Sequence, residues 1–262
     1  MRNVPATNMS LAPVDYDFGV PANYAFAENI TCSNDEAKKM YVEAFGHMLN
    51  YNHEQAIACF TKCVELDPNC AMAWWGIAYC LSSSYNWSAG LGPGYDAISQ
   101  AVALKDHCSE LEQDLIMALS KRHTKEARDN ANPAALNMGN SPELNQAFAD
   151  AMAPLYEKYK GNLDVTAIYV EALMNLNPWT LWNKDAASGE ITPVDDSTLM
   201  LIKIMEDAFE NVPGAKEHPA LCHLYCHALE LSPYPERALP AADVLRTPVS
   251  YTHLTLPTIA LV

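Results

Sequence analysis

The sequence predicts an all-α fold arranged as an α-solenoid of antiparallel helix pairs. Three observations lead there. Small residues recur at helix contact positions, with Ala44, Ala56 and Ala78 each flanked by large apolar side chains at helical spacing. The set repeats after a step of about 34 residues, which carries Met40 onto Trp74 and Ala44 onto Ala78. No convincing strand pattern appears before the C-terminal tail.

Ala56 marks the second helix of the first pair. Phe60 follows four positions on, Cys63 takes the next small site, and Asp67-Pro68 closes the helix. Ala44 supplies the small side chain in the preceding helix, and Trp74, Ile77, Ala78 and Leu81 supply large, large, small and large positions in the following one. Small residues let two helices approach, and large ones three or four positions away fill the groove between them. The run Glu54-Gln55-Ala56-Ile57-Ala58-Cys59-Phe60, ending in Val64-Glu65-Leu66-Asp67-Pro68-Asn69, strongly resembles the second-helix signature of the tetratricopeptide repeat (TPR). Two residues depart from that pattern. Glu43 stands where an apolar residue is usual and His47 where an aromatic is usual.

The elements follow in order. Ser33 with Glu36 reads as a capping box that opens a helix running to Leu49. Residues 50–53 turn, a second helix runs to Leu66, and a third covers 71–82. Residues 83–94 form a loop longer than a repeat turn, carrying Tyr85 and Trp87. Ser109 and Glu112 make another capping box for a helix to His123, and 128–140 is a loop or linker with four asparagines. Ser141-Pro142-Glu143 starts a helix with proline at its favoured first position, ending at Tyr159. Gly161-Asn162 breaks it, 165–176 continues on a new axis, and 178–196 is an aromatic-bearing loop. Helices over 198–211, 219–231 and 235–246 complete the pattern. The implied organisation is an irregular lead-in at 1–31, TPR-like repeats at 32–127, the 128–140 linker, further degenerate helical repeats at 141–247, and a non-native tail at 248–262.

The tail is read as foreign because Val249-Ser250-Tyr251-Thr252-His253-Leu254-Thr255-Leu256-Pro257-Thr258 resembles a translated sequencing adapter. On that reading the natural sequence stops near Thr247 and the gene product is longer.

Sixteen Lys and Arg against 32 Asp and Glu give a net charge of −16, a field that repels phosphate backbones and anionic lipid. Nucleic acid and membranes are therefore not expected as partners, and no apolar run reaches bilayer length. Residues 1–29 lack an apolar h-region, so a cytoplasmic location is expected and the sequons at Asn29 and Asn86 are given no weight. The eight cysteines read as reduced and structural, since Cys59, Cys63 and Cys80 fall where a helix wants a small apolar side chain.

Two constellations carry the functional reading. In TPR domains, first-helix positions line a concave groove; the resemblance transfers these to Lys38, Tyr41, Phe45 and Met48, then Met72, Trp75, Tyr79 and Ser82. Tyr41, Phe45, Met72, Trp75 and Tyr79 are the expected peptide-binding surface of a protein-interaction scaffold. The alternative packing of each aromatic is against the next repeat. The rival function is metal binding, or a metal-dependent enzyme, at His218, His223 and His227, where two imidazoles four apart share a helix face and could hold Zn or Fe. The competing role for these histidines is hydrogen bonding across helices. Without a glycine-rich phosphate loop, a serine nucleophile motif or a Cys-x-x-Cys pair, no catalytic activity and no cofactor is assigned.

Further runs extend the likeness. His218-Pro219 through Leu224-Tyr225-Cys226-His227-Ala228-Leu229-Glu230, Pro235-Glu236-Arg237-Ala238-Leu239-Pro240-Ala241-Ala242-Asp243 and Tyr169-Val170-Glu171-Ala172-Leu173-Met174-Asn175-Leu176-Asn177-Pro178-Trp179 resemble segments of long, mostly bacterial TPR-containing proteins. The resemblance covers residues 29–246 and implies architecture rather than activity. Members of that family continue into another histidine-bearing segment and more repeats.

Overall fold

The computed structural model describes residues 25–85, 93–129 and 141–246, and these are predominantly helical. They divide into two compact units, one reaching to Leu155 and the other starting at Tyr156. The expected tail at 248–262, most of the lead-in and most of the 128–140 linker lie outside the described residues.

In the first unit, α1 (Ala25–Glu28) precedes α2 (Asp35–Leu49), α3 (His53–Leu66) and α4 (Ala71–Cys80). The cap of α2 is Asn34, whose side chain accepts from the Glu36 and Ala37 N–H groups at 2.9 and 3.1 Å. The expected capping by Ser33 is corrected. Its N–H and hydroxyl both bond Asp67 at the end of α3, and Asn34 caps equally well one residue later.

Helix α2 stops in a Schellman-type closure, with Tyr51 N–H bonded to Met48 O and Asn52 N–H to His47 O, both at 3.0 Å. Tyr51 takes the left-handed position at φ 59°, which most sequences give to glycine. Helix α3 ends at Asp67-Pro68, as expected, because proline cannot continue the ladder.

Every residue of α4 is buried. An all-apolar helix has to be covered on all sides. It packs against α3 and α5 (Pro93–Leu104), and also against α2 and α6 (Glu110–Ser120). Contact with α3 is close at Gly76, where an added Cβ would lie 2.4 Å from the Phe60 ring. A 3-10 turn at Lys105–His107 joins α5 to α6, and α7 (Lys125–Asp129) follows. The Ser109–Glu112 capping box is present as expected. Glu112 does more than cap: its two carboxylate oxygens also accept from the Thr31 N–H and hydroxyl, each at 2.7 Å, tying the chain ahead of α2 to α6.

Helix α8 (Pro142–Lys158) contains the division between the units. In the second unit, Asn162 caps α9 (Leu163–Met174), which is buried along its whole length. The segment expected to be a loop carries two short antiparallel strands, β1 (Trp182–Lys184) and β2 (Ile191–Pro193), with Asn183 opposite Thr192. Asp185 closes the hairpin by accepting from Ala187 N–H, Ser188 N–H and the Ser188 hydroxyl. Three-residue strands are too short for a period-two pattern, so the alternation that betrays longer strands is absent here. Helix α10 (Asp196–Asn211) packs on α9 and α11 (Pro219–Leu229), and α11 packs on α9 and α12 (Leu239–Leu245). A 3-10 turn at Pro235–Ala238 opens what the sequence suggests is one helix to Arg246. Among the described residues, no helix is long and apolar enough to cross a membrane.

Candidate functional site

All five expected groove residues are buried in the first unit. Tyr41, Phe45, Met72 and Trp75 have no exposed surface, and Tyr79 is 6% exposed. Tyr41 stacks on Phe45 and tilts against Phe60 at centroid distances of 5.9 and 5.4 Å. Trp75 stacks on Tyr79 at 5.1 Å, and its indole N–H donates to Leu115 O in α6 at 3.1 Å. These rings thus pack into the helical core rather than standing open as anchors. The Tyr41–Phe45 and Trp75–Tyr79 pairs follow from helical spacing, whereas Phe60 and Leu115 lie 19 and 40 positions along the chain, where spacing alone gives no sign of them.

In the second unit, the three histidines do different jobs. His218 caps α11, its Nδ1 accepting from Leu221 N–H at 3.3 Å, and its Nε2 lies 3.2 Å from Asp164 Oδ1. With Nδ1 accepting, Nε2 carries the proton and donates it to the carboxylate. Both ring nitrogens are therefore occupied, and His218 stands about 140° around the helix from His223. His218 is thus engaged apart from the His223–His227 pair.

His223 and His227 do meet, as their four-residue spacing predicts, with ring centroids 4.6 Å apart and nearly perpendicular. Burial, with His227 beside it, holds His223 well below the ordinary imidazole range, so it is neutral. His227 Nδ1 bonds Glu230 Oε1 at 2.8 Å, and the edge of its ring meets Trp179 at 5.8 Å. Trp179 is left-handed, at φ 62°, and half exposed.

The sequence reasoning missed a third constellation in the first unit. Glu43 and His47, one turn apart on α2, and Cys59 on α3 place their donor atoms all within 4.8 Å of one another. Among the described residues, this is the group of three or more His, Cys, Asp and Glu side chains that comes together so closely. The signal in the sequence is the pair of departures from the first-helix pattern, whereas Cys59 also fits a small packing position and so does not stand out. Burial pushes the Cys59 thiol up to about 12, with the Glu43 carboxylate adding to the shift, and burial lowers His47 to about 4.

Compared with protein-family models, with curated proteins and with solved structures, the chain has no significant match.

Proposed function

We propose that this chain is a TPR-like helical scaffold that acts by binding another protein. The observation that carries the reading is that α4 packs on both α2 and α6, each one helix removed in the chain, while also packing on its sequence neighbours α3 and α5. Helix pairs whose first helices stack in succession bury a continuous core that a single pair cannot, and that arrangement is the basis of repeat scaffolds.

The binding surface lies away from the first-helix aromatics, which are spent on the core. Trp179, Leu231, Tyr234 and Leu239 are 51–58% exposed, and all four belong to the second unit. Tryptophan and tyrosine of this kind make strong contact anchors. The net charge of −16 favours a partner with a basic surface and disfavours nucleic acid or anionic membrane.

The test places a photoreactive amino acid at Tyr234, or at the exposed polar position Glu190 as control, in cells making the full chain. The scaffold reading expects a discrete adduct with one basic protein from Tyr234 alone, weakening as salt rises. No discrete adduct, or the same adduct from both positions, would refute it.

A further inference from the structure

We propose that Glu43, His47 and Cys59 form a binding site for a divalent transition metal of the zinc class, held between α2 and α3. One carboxylate, one imidazole and one thiol offer their donor atoms within 4.8 Å of each other. Bonds of about 2.0–2.3 Å set neighbouring donors roughly 3.3–3.8 Å apart around a tetrahedral ion, so the three side chains need only small rotations to close on it. The mixture of soft and borderline donors selects Zn²⁺ or Co²⁺ over Mg²⁺ and Ca²⁺, which require oxygen ligands. Three protein ligands leave a fourth position for water or another small donor.

The surroundings suit the ion. Cys59 has no exposed surface, His47 is 1% exposed, and Glu43 is half-buried. Binding replaces the Cys59 thiol proton with the metal: the S–H bond breaks, the sulfur–metal bond forms, and the proton leaves to solvent. Gln55 Nε2 donates to Cys59 Sγ at 3.8 Å, an interaction that strengthens as the sulfur becomes a thiolate. The Asn52 side-chain Nδ2 lies 3.4 Å from His47 Nδ1; a flip of the amide, exchanging Nδ2 for Oδ1, lets it accept the N–H of an imidazole that ligates through Nε2. The cluster also accounts for both departures of α2 from the repeat pattern, since a charged and an imidazole side chain stand where packing alone would use apolar ones.

The experiment titrates the chelator-stripped full chain with Co²⁺. The proposal expects a thiolate-to-cobalt charge-transfer band saturating at about one equivalent, displaced by Zn²⁺. Cys59→Ser should abolish the band at unchanged helical circular dichroism. Glu43→Gln, at a half-buried position, keeps the test valid if the cysteine variant misfolds; it should weaken Co²⁺ binding more than about 100-fold, beyond the loss from an outer-shell partner. A band that survives Cys59→Ser, Co²⁺ affinity unchanged in folded Glu43→Gln, or no band in the folded wild-type chain would overturn the proposal. So would a band that disappears instead in His223→Ala.

Discussion

Asp67 Oδ2 accepts both the N–H and the hydroxyl of Ser33, at 2.8 and 2.7 Å, across 34 positions of chain. The same carboxylate takes the Asn69 N–H at 3.0 Å through its other oxygen. One buried side chain thus ties the residue before the α2 cap to the turn that ends α3. Asp67→Ala removes the acceptor of two backbone N–H groups and should cost about 1–3 kcal/mol, at about 0.5–1.5 for each hydrogen bond lost. Urea denaturation reads this directly, and a loss under about 0.5 kcal/mol would show that water replaces the carboxylate.

The same tie makes a pH prediction. Burial pushes the Asp67 carboxyl up, but the hydrogen bonds from Ser33, Asn69 and Cys32 outweigh it and hold the group below its ordinary range. A carboxyl depressed in the folded state stabilises the fold above its unfolded pKa of about 3.9 and loses that contribution as pH falls through the folded value. The stability gap between wild type and Asp67→Ala should be constant above about pH 5 and narrow below about pH 4. A gap that widens in acid would contradict the depressed carboxyl.

What could be read from the sequence was local. The Ser109–Glu112 box was legible because cap and partner sit three residues apart, and the end of α3 because Asp67-Pro68 stops a helix within one turn. Ser33 misled because its partner is Asp67, far along the chain, while Asn34 beside it caps as well. The hairpin at Trp182 and Ile191 was too short to show alternation. In the candidate sites, His223 and His227 met because four residues is a helical neighbour spacing, whereas His218 was withdrawn by Leu221 and Asp164. The burial of Tyr41 and Trp75 depends on Phe60 and Leu115, contacts that no helical period specifies. Glu43 and His47 announced themselves only by breaking the pattern, and finding Cys59 between them required the packing of α3 on α2.

Gly76 sets how closely α3 and α4 approach. A methyl there would lie 2.4 Å from the Phe60 ring, which is itself fully buried and has little room to yield. Alanine gains about 1 kcal/mol over glycine in a helix, yet overpacking costs about 1–3 kcal/mol, so Gly76→Ala should be neutral to 2 kcal/mol destabilising. Phe60→Leu in the same chain relieves the clash, and the two losses should then be less than additive. Strict additivity in denaturation would place the clash elsewhere.

Trp75 distinguishes a core residue from a groove residue. Its ring is fully buried and its N–H is bonded to Leu115 O, so Trp75→Ala should cost about 3–5 kcal/mol by opening a cavity. A groove anchor would instead lose partner binding at nearly unchanged stability. Thermal melting of the purified chain separates the two, with a shift of only a degree or so pointing back to an open groove.

His218 and Asp164 are both buried, and each answers for the other's polarity. Burial raises the Asp164 carboxyl, and the hydrogen bond from His218 works against that rise. Removing one partner strands the other, so Asp164→Ala should cost about 2–4 kcal/mol. His218→Asn is milder, because asparagine is a strong N-cap and can still receive the Leu221 N–H, leaving only the bond to Asp164 lost. The two substitutions together should therefore cost less than their sum by more than about 1 kcal/mol, since an asparagine cap no longer needs the carboxylate. A coupling near zero in a double-mutant cycle would mean that His218 holds α11 through its cap alone and that Asp164 finds another donor.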